Sequence, residues 1–132
     1  MTQQVLQPAG WVRPRGYANG IAGEGRQVFI SGQIGWNGQC EFTSDRFSDQ
    51  VRQALLNVVA ILAEAGGRPE DLVRLTWYVT SREEYLGEIA DVGAAYREVV
   101  GRHFPTMAVV QVVALMEARA RVEIEATALI PR

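Results

Sequence analysis

The sequence contains no lysine, since all 13 of its basic residues are arginines. Without a lysine amine the chain cannot form a Schiff base, anchor pyridoxal phosphate or build a P-loop. It has one cysteine, Cys40, and one histidine, His103, so it forms no internal disulfide and no zinc site from these soft ligands. A catalytic triad would have to use His103. The lone cysteine suits a reducing compartment.

Long apolar runs and excess positive charge are missing as well. No stretch reaches the roughly 18 residues of a membrane span, and residues 1–10 lack the cationic start and apolar run of a signal peptide. We therefore expect a cytoplasmic protein with no membrane partner. The net charge is −2, because 13 basic residues stand against 15 acidic ones. That balance argues against a nucleic-acid partner.

The length predicts a single domain over residues 1–132, and 48% hydrophobic with 21% charged residues is an ordinary globular composition. Apolar spacing alternates between the period of a strand and that of a helix. The predicted strands are residues 17–22, 27–31, 71–80, 107–115 and 121–129, and the predicted helices are residues 51–65 and 83–100. Ser48 or Asp49 is expected to cap the first helix, and Ser81 the second.

The order β-β-α-β-α-β-β predicts an α+β fold, with a single β-sheet and two helices packed on one of its faces. Strands 17–22 and 27–31 are expected to form a hairpin. Strand 107–115 is nearly all apolar, so we expect it to be covered on both faces. The sheet face without helices also keeps apolar residues, which indicates that subunits pack sheet against sheet.

Several polar residues are candidates for a site. Glu123 and Glu125, two apart on the last strand, project to one face. They fit either a solvated surface or a subunit cleft, where one of them would hold a water as acid or base. Ser31 and Gly32 fit either a strand bulge or a ligand nest of backbone N–H groups and the Ser31 hydroxyl. Tyr17 fits packing or binding.

Three further residues could carry chemistry. Arg15 stands in a loop, where it could clamp an anion or be solvated. His103 follows the second predicted helix, and its expected role is to cap that helix. Cys40 has no activating neighbour in the sequence, and we expect a spectator thiol.

Short motifs occur in order along the whole chain. They are Arg15-Gly16-Tyr17, Phe29-Ile30-Ser31-Gly32-Gln33-Ile34, Gln53-Ala54-Leu55-Leu56-Asn57-Val58, Ala63-Glu64-Ala65-Gly66-Gly67, Val73-Arg74-Leu75-Thr76 and Val122-Glu123-Ile124-Glu125-Ala126. Each motif alone is weak, but taken together they resemble the RidA family of enamine/imine deaminases, also called YjgF.

The resemblance implies a chorismate-mutase-like fold and a homotrimer with a ligand cleft at each subunit interface. It implies hydrolysis of 2-enamine or 2-imine acids to 2-keto acids and ammonia, a hydrolase reaction on a C–N bond that uses no metal and no organic cofactor. It also implies that Glu123 places and activates the water, while Tyr17, Ser31 and Gly32 line the pocket.

The chain departs from the family pattern at four positions. Met107 stands where the family has its carboxylate-binding arginine, and Val109 where it usually has cysteine. Gly93 replaces a frequent asparagine, and Arg15 replaces the proline beside Tyr17. A pocket with Met107 and Val109 is expected to prefer a less charged or more hydrophobic ligand. Arg15 is a candidate for the missing cation.

The resemblance implies a RidA-like deaminase of an enamine or imine, with substrate choice altered by Met107. The alternative is a non-catalytic trimeric module that binds a small ligand in the same intersubunit cleft. Substituting Glu123 separates the two, because only an enzyme has turnover to lose. A third possibility within the family, RNA cleavage or translation inhibition, gains no support from the net charge.

Overall fold

The structure, a computed structural model, describes residues 3–132. The strands are β1 (Gln3–Leu6), β2 (Gly20–Gly23), β3 (Arg26–Ile34), β4 (Leu72–Val79), β5 (Thr106–Gln111) and β6 (Val122–Ile130). The helices are α1 (Phe47–Glu64), α2 (Arg82–Gly87) and α3 (Ile89–Val99), with a short 3-10 helix at Pro69–Asp71.

Four strands form one mixed sheet in the order β3-β6-β4-β5, in which β4 and β5 run parallel. β1 and β2 pair with each other in a separate antiparallel sheet. The α+β fold is confirmed, but it contains two sheets instead of one, and the predicted hairpin between residues 17–22 and 27–31 is wrong. Strand β3 pairs with β6 instead. The prediction failed because a turn sequence marks only where a chain bends and not which strand becomes its neighbour.

The hydrophobic core lies between the four-stranded sheet and the helices. Leu75, Trp77 and Val79 alternate along β4 and are buried, as their period-2 spacing predicts. On α1 the buried positions recur every three or four residues, as in Val51, Leu55 and other core members. The helices therefore cover one face of the sheet and leave the other open.

The second predicted helix, residues 83–100, is in fact two helices that meet at Glu88. The backbone of Glu88 is not helical, with φ −110° and ψ 20°. Its carboxylate accepts hydrogen bonds from the Ser48 backbone N–H at 3.2 Å and from the Arg46 guanidinium at 3.3 Å. One of the free N–H groups at the start of helix α1 is thus satisfied by Glu88. The break between α2 and α3 places this carboxylate at the N-terminus of α1, where negative charge is favourable.

The predicted caps have different outcomes. Ser48 and Asp49 do not cap α1, which starts one residue after Arg46 and has no side-chain cap of its own. Ser48 and Asp49 were predicted as caps from the local sequence alone. The local sequence does not show that Glu88, 40 residues further along the chain, accepts from the Ser48 backbone N–H. The prediction for α2 is confirmed, because the Ser81 hydroxyl accepts a hydrogen bond from the Glu84 backbone N–H at 3.1 Å.

Strand β5 is an edge strand and ends at Gln111, earlier than predicted. Its last four residues are exposed, so the prediction that it is covered on both faces is wrong for the single chain. Val110 is 44% exposed, and Phe29 on the opposite edge strand is 73% exposed. Within residues 3–132, no helix has the length and apolar character needed to cross a membrane.

Candidate functional site

The open face of the sheet carries the two predicted carboxylates. Glu123 and Glu125 are half-buried, whereas their neighbours along β6 face the core, so the predicted alternation is confirmed. Glu125 accepts a hydrogen bond from the Tyr78 hydroxyl at 2.5 Å. That bond, together with desolvation and the charge of Glu125, raises the pKa of Tyr78. Glu125 is therefore occupied in holding a neutral tyrosine.

Glu123 lies over a bulge in the adjacent strand. The register between β3 and β6 shifts between Ile30 and Gln33, so Ser31 and Gly32 form the predicted bulge. A Cβ placed on Gly32 would overlap the Glu123 carboxylate oxygen Oε2. The glycine thus allows the carboxylate to lie directly on the backbone. Among residues 3–132, the Glu123 carboxylate receives no hydrogen bond and has no ion-pair partner.

Ser31 also borders a depression of about 430 Å³ on this open face. The exposed Arg74 and the half-buried Glu125 line the same depression. A hydroxyl, a cation and a carboxylate therefore border the same depression.

Four other predicted residues line one cavity of about 640 Å³. They are Arg15, Tyr17, Met107 and Val109. Parallel pairing sets Met107 opposite Leu75 and Val109 opposite Trp77, and paired residues share a face of the sheet. Met107 and Val109 therefore lie on the helix-covered face.

The segment that carries Tyr17 is attached to the start of β5. The Ala18 backbone N–H donates to the Pro105 carbonyl at 3.1 Å, and Ala18 forms an isolated parallel bridge with Thr106. Tyr17 itself is 43% exposed at the cavity. Backbone pairing thus brings the Arg15-Gly16-Tyr17 motif close to Met107, although the two are far apart in the sequence.

The cavity is apolar, with positive charge as its only formal charge. Among its lining residues, Arg15 and Arg97 are charged, and both are cationic. Burial raises the pKa of Tyr85 and of Tyr96, so both phenols stay neutral and add no negative charge. An anion with an apolar body suits these walls.

Several residues of this cavity were not identified by the sequence analysis, and Trp77 and Arg97 are two of them that have polar groups free for a ligand among residues 3–132. Trp77 belongs to the hydrophobic core and also lines the cavity, and its buried indole N–H finds no acceptor among residues 3–132. Arg97 was not among the candidate residues. The signal that could have found it is its i, i+4 spacing from Gly93, which places the two on neighbouring turns of one helix face.

The two groups of predicted residues are not brought together within one chain. Glu123, with Ser31 and Gly32, belongs to the open face of the sheet. Met107 and its cavity belong to the helix-covered face. A site that uses both groups has to draw them from two copies of the chain.

The remaining candidates have structural positions. His103 does not cap a helix; its Nε2 lies 2.6 Å from the Leu72 carbonyl, and its own carbonyl accepts from the Tyr96 hydroxyl at 2.5 Å. Cys40 is exposed and unpaired at φ 62° in a turn. In the described part of the chain, no three His, Cys, Asp or Glu side chains are grouped so that they could hold a metal.

Comparisons with known proteins extend over most of the chain. The family described as Endoribonuclease L-PSP matches residues 12–130. The 2-iminobutanoate/2-iminopropanoate deaminase of Salmonella typhimurium is 34% identical over 108 residues, which are 80% of each chain.

Among the solved structures with a similar fold are two that cover most of this chain. The Rid-family protein YyfB of Yersinia pestis has a TM-score of 0.86 at 28% identity, covering 98% of this chain and 100% of that one. E. coli TdcF, solved with bound serine, has a TM-score of 0.68 at 34% identity, covering 92% of this chain and 91% of that one. These likenesses confirm the chorismate-mutase-like fold, and with the matched residues they show that the chain belongs to the RidA (YjgF) family.

Proposed function

We propose that this protein is a hydrolytic deaminase of enamine or imine acids. The observation that carries the proposal is the Glu123 carboxylate, which lies on the Gly32 backbone and has no partner among residues 3–132. A carboxylate whose oxygens are free of protein partners can accept a proton from a bound water. The deaminase named among the similar proteins and the serine bound to TdcF support a ligand derived from an amino acid.

The reaction needs one water and one group that moves protons. Water adds to the carbon of the protonated imine while Glu123 accepts one of its protons, which gives a neutral carbinolamine. Glu123 then returns that proton to the nitrogen. The C–N bond breaks as the carbinolamine hydroxyl gives its proton to Glu123, which passes it to the departing ammonia, so the products are a 2-keto acid and an ammonium ion. An enamine first takes up a proton at carbon and becomes the imine. Ser31 and the bulge N–H groups are proposed to hold the polar end of the reacting group.

The proposal places the site between copies of a homotrimer in the cytoplasm. One copy supplies Glu123 and Gly32, and the next supplies the cavity with Tyr17 and Met107. The exposed apolar residues on the open face and at the edge strands support this assembly, because such surface favours association. We include Arg15 and Val109 in the cavity's half of the site.

Light scattering on the purified protein is expected to give three times the 14.6 kDa mass of the chain. The measurement needs no substrate. A mass equal to one chain, at the concentration at which imine hydrolysis is measured, would contradict a shared site.

The reaction itself is tested with imino acids made in place by an amino-acid oxidase. We expect the protein to speed release of the 2-keto acid and ammonia. Met107→Arg is expected to raise kcat/KM for the small 2-iminopropanoate about tenfold or more, because it restores a cation that can bind a carboxylate. Met116→Arg is the matched control, since Met116 is 95% exposed and does not line the cavity.

If neither the natural protein nor Met107→Arg speeds imine loss over buffer, the deaminase proposal fails. Saturable binding of 2-keto acids by such an inactive protein would instead support the non-catalytic binding module. The family's description names an endoribonuclease. The net charge of −2 does not support that activity, and we do not propose it.

A further inference from the structure

Helix α3 contains a glycine where its backbone does not require one. Gly93 lies inside the helix and is absent from the residues with positive φ. Glycine within a helix is less favourable than alanine, because it loses more backbone freedom on folding. A Cβ at this position would stand 3.3 Å from Arg97 Nη1, which is tighter than ordinary contact. The guanidinium therefore lies back over Gly93, along the direction in which helical side chains point.

The Arg97 guanidinium is available to a ligand. It lines the cavity together with Met107, and within residues 3–132 it has no carboxylate within 4 Å and donates no hydrogen bond. Other arginines of the chain, such as Arg46 and Arg121, are engaged with carboxylates. An arginine without a partner beside an apolar cavity can form a forked pair with a carboxylate.

The rest of the cavity describes the other end of the ligand. Aromatic and aliphatic side chains make up most of its lining. They include Trp77, Tyr85, Ile89, Val92, Tyr96 and Phe104. The indole N–H of Trp77 is buried without an acceptor among the described residues, and a buried donor in that state favours an acceptor atom on a ligand. A volume of about 640 Å³ leaves room for more than a methyl group beside the carboxylate.

We infer that Arg97, lying over Gly93 and lining the cavity beside Met107, binds the carboxylate of an imino acid that carries a large apolar or aromatic side chain. The inference deepens the proposed function and rests on it for the imine. Arg97 takes the role that the resemblance gives to an arginine at position 107. The shift of the cation from strand to helix leaves Met107 as an apolar wall for the side chain.

The test uses phenylpyruvate, the 2-keto acid product of an aromatic imino acid, in calorimetric titrations of the intact protein. Arg97→Gln is expected to raise its Kd about 10- to 100-fold, as for loss of a charge-assisted pair at a partly exposed site. Arg102→Gln is the matched control, because Arg102 is exposed and lies outside the cavity lining. Phenylacetone, which lacks the carboxylate, is expected to bind both variants and the natural protein equally.

Other results would overturn the inference. Unchanged phenylpyruvate affinity in Arg97→Gln would remove Arg97 from the site, and a loss confined to Arg15→Gln would assign the anion to Arg15. If pyruvate bound as tightly as phenylpyruvate, the inference that the ligand carries a large apolar side chain would be wrong.

Turnover of phenylalanine-derived imine, measured in parallel, separates the two proposals. Arg97-dependent binding without turnover would overturn the deaminase and keep Arg97 as the anion site. Turnover that is unchanged in Arg97→Gln would support the deaminase and exclude Arg97 as the anion site.

Discussion

Replacing Glu123 with glutamine is expected to lower the rate of imine hydrolysis about 10²- to 10⁴-fold, the usual contribution of a general acid–base group. The amide keeps the size of the side chain and its position over Gly32, but it cannot accept the proton of the attacking water. The loss should fall on kcat, with phenylpyruvate affinity nearly unchanged, because the proposed carboxylate contacts are elsewhere.

Glu125→Gln is the matched control for this change. It lies two residues away on the same face, and its carboxylate is engaged with the Tyr78 hydroxyl. Steady-state kinetics on both variants, with thermal unfolding as a check on folding, distinguish the two carboxylates. Equal turnover in Glu123→Gln and the natural protein would exclude Glu123 as the acid–base group.

Replacing Gly32 with alanine is expected to lower turnover about 10²-fold, since a misplacement on the order of 1 Å can cost that much. The new Cβ would overlap Glu123 Oε2 and force the carboxylate away from the bulge. Gly32 has no positive φ, so alanine meets no backbone penalty and the effect isolates the overlap. Gly38→Ala is the control, because a Cβ there has no neighbour within 4 Å.

A double-variant cycle keeps this test sharp if the alanine also weakens the fold. In the Glu123→Ala background the overlap is gone, so Gly32→Ala should lose most of its effect on the free energy of unfolding. We expect a coupling of about 1–3 kcal/mol between the two positions, measured by denaturant unfolding. Additive effects would show that Gly32 is required for some reason other than the approach of the carboxylate.

Features that depend on local sequence were predicted correctly from the alternation of apolar and polar residues. The faces of β4 and β6 follow from period-2 spacing, so Trp77 and Ile124 are buried and Glu123 is not. The bulge at Ser31 and Gly32 was one of two readings of a glycine at a strand end. The role of these residues in a site stays a proposal.

Features that depend on distant segments were not predictable in this way. Strand β2 pairs with β1, and β3 pairs with β6. These pairings depend on contacts between segments far apart in the chain, and no short sequence pattern encodes them. The break at Glu88 is compensated by Ser48 and Arg46, about 40 residues earlier in the chain. The position of Arg97 in the cavity depends on the fold, because β5 carries Met107 into the cavity that Arg97 of α3 also lines.

The placement of Glu123 and Met107 on opposite faces of one sheet also bears on how much protein a cell must make. Neither side chain can reach the other within a chain without dismantling β6, so under the proposed reaction a folded single copy has no complete site. Specific activity then falls on dilution through the dissociation constant of the assembly, by mass action, even though every chain remains folded. Expression level becomes a threshold for activity, and below it the protein can be abundant enough to detect yet catalytically silent.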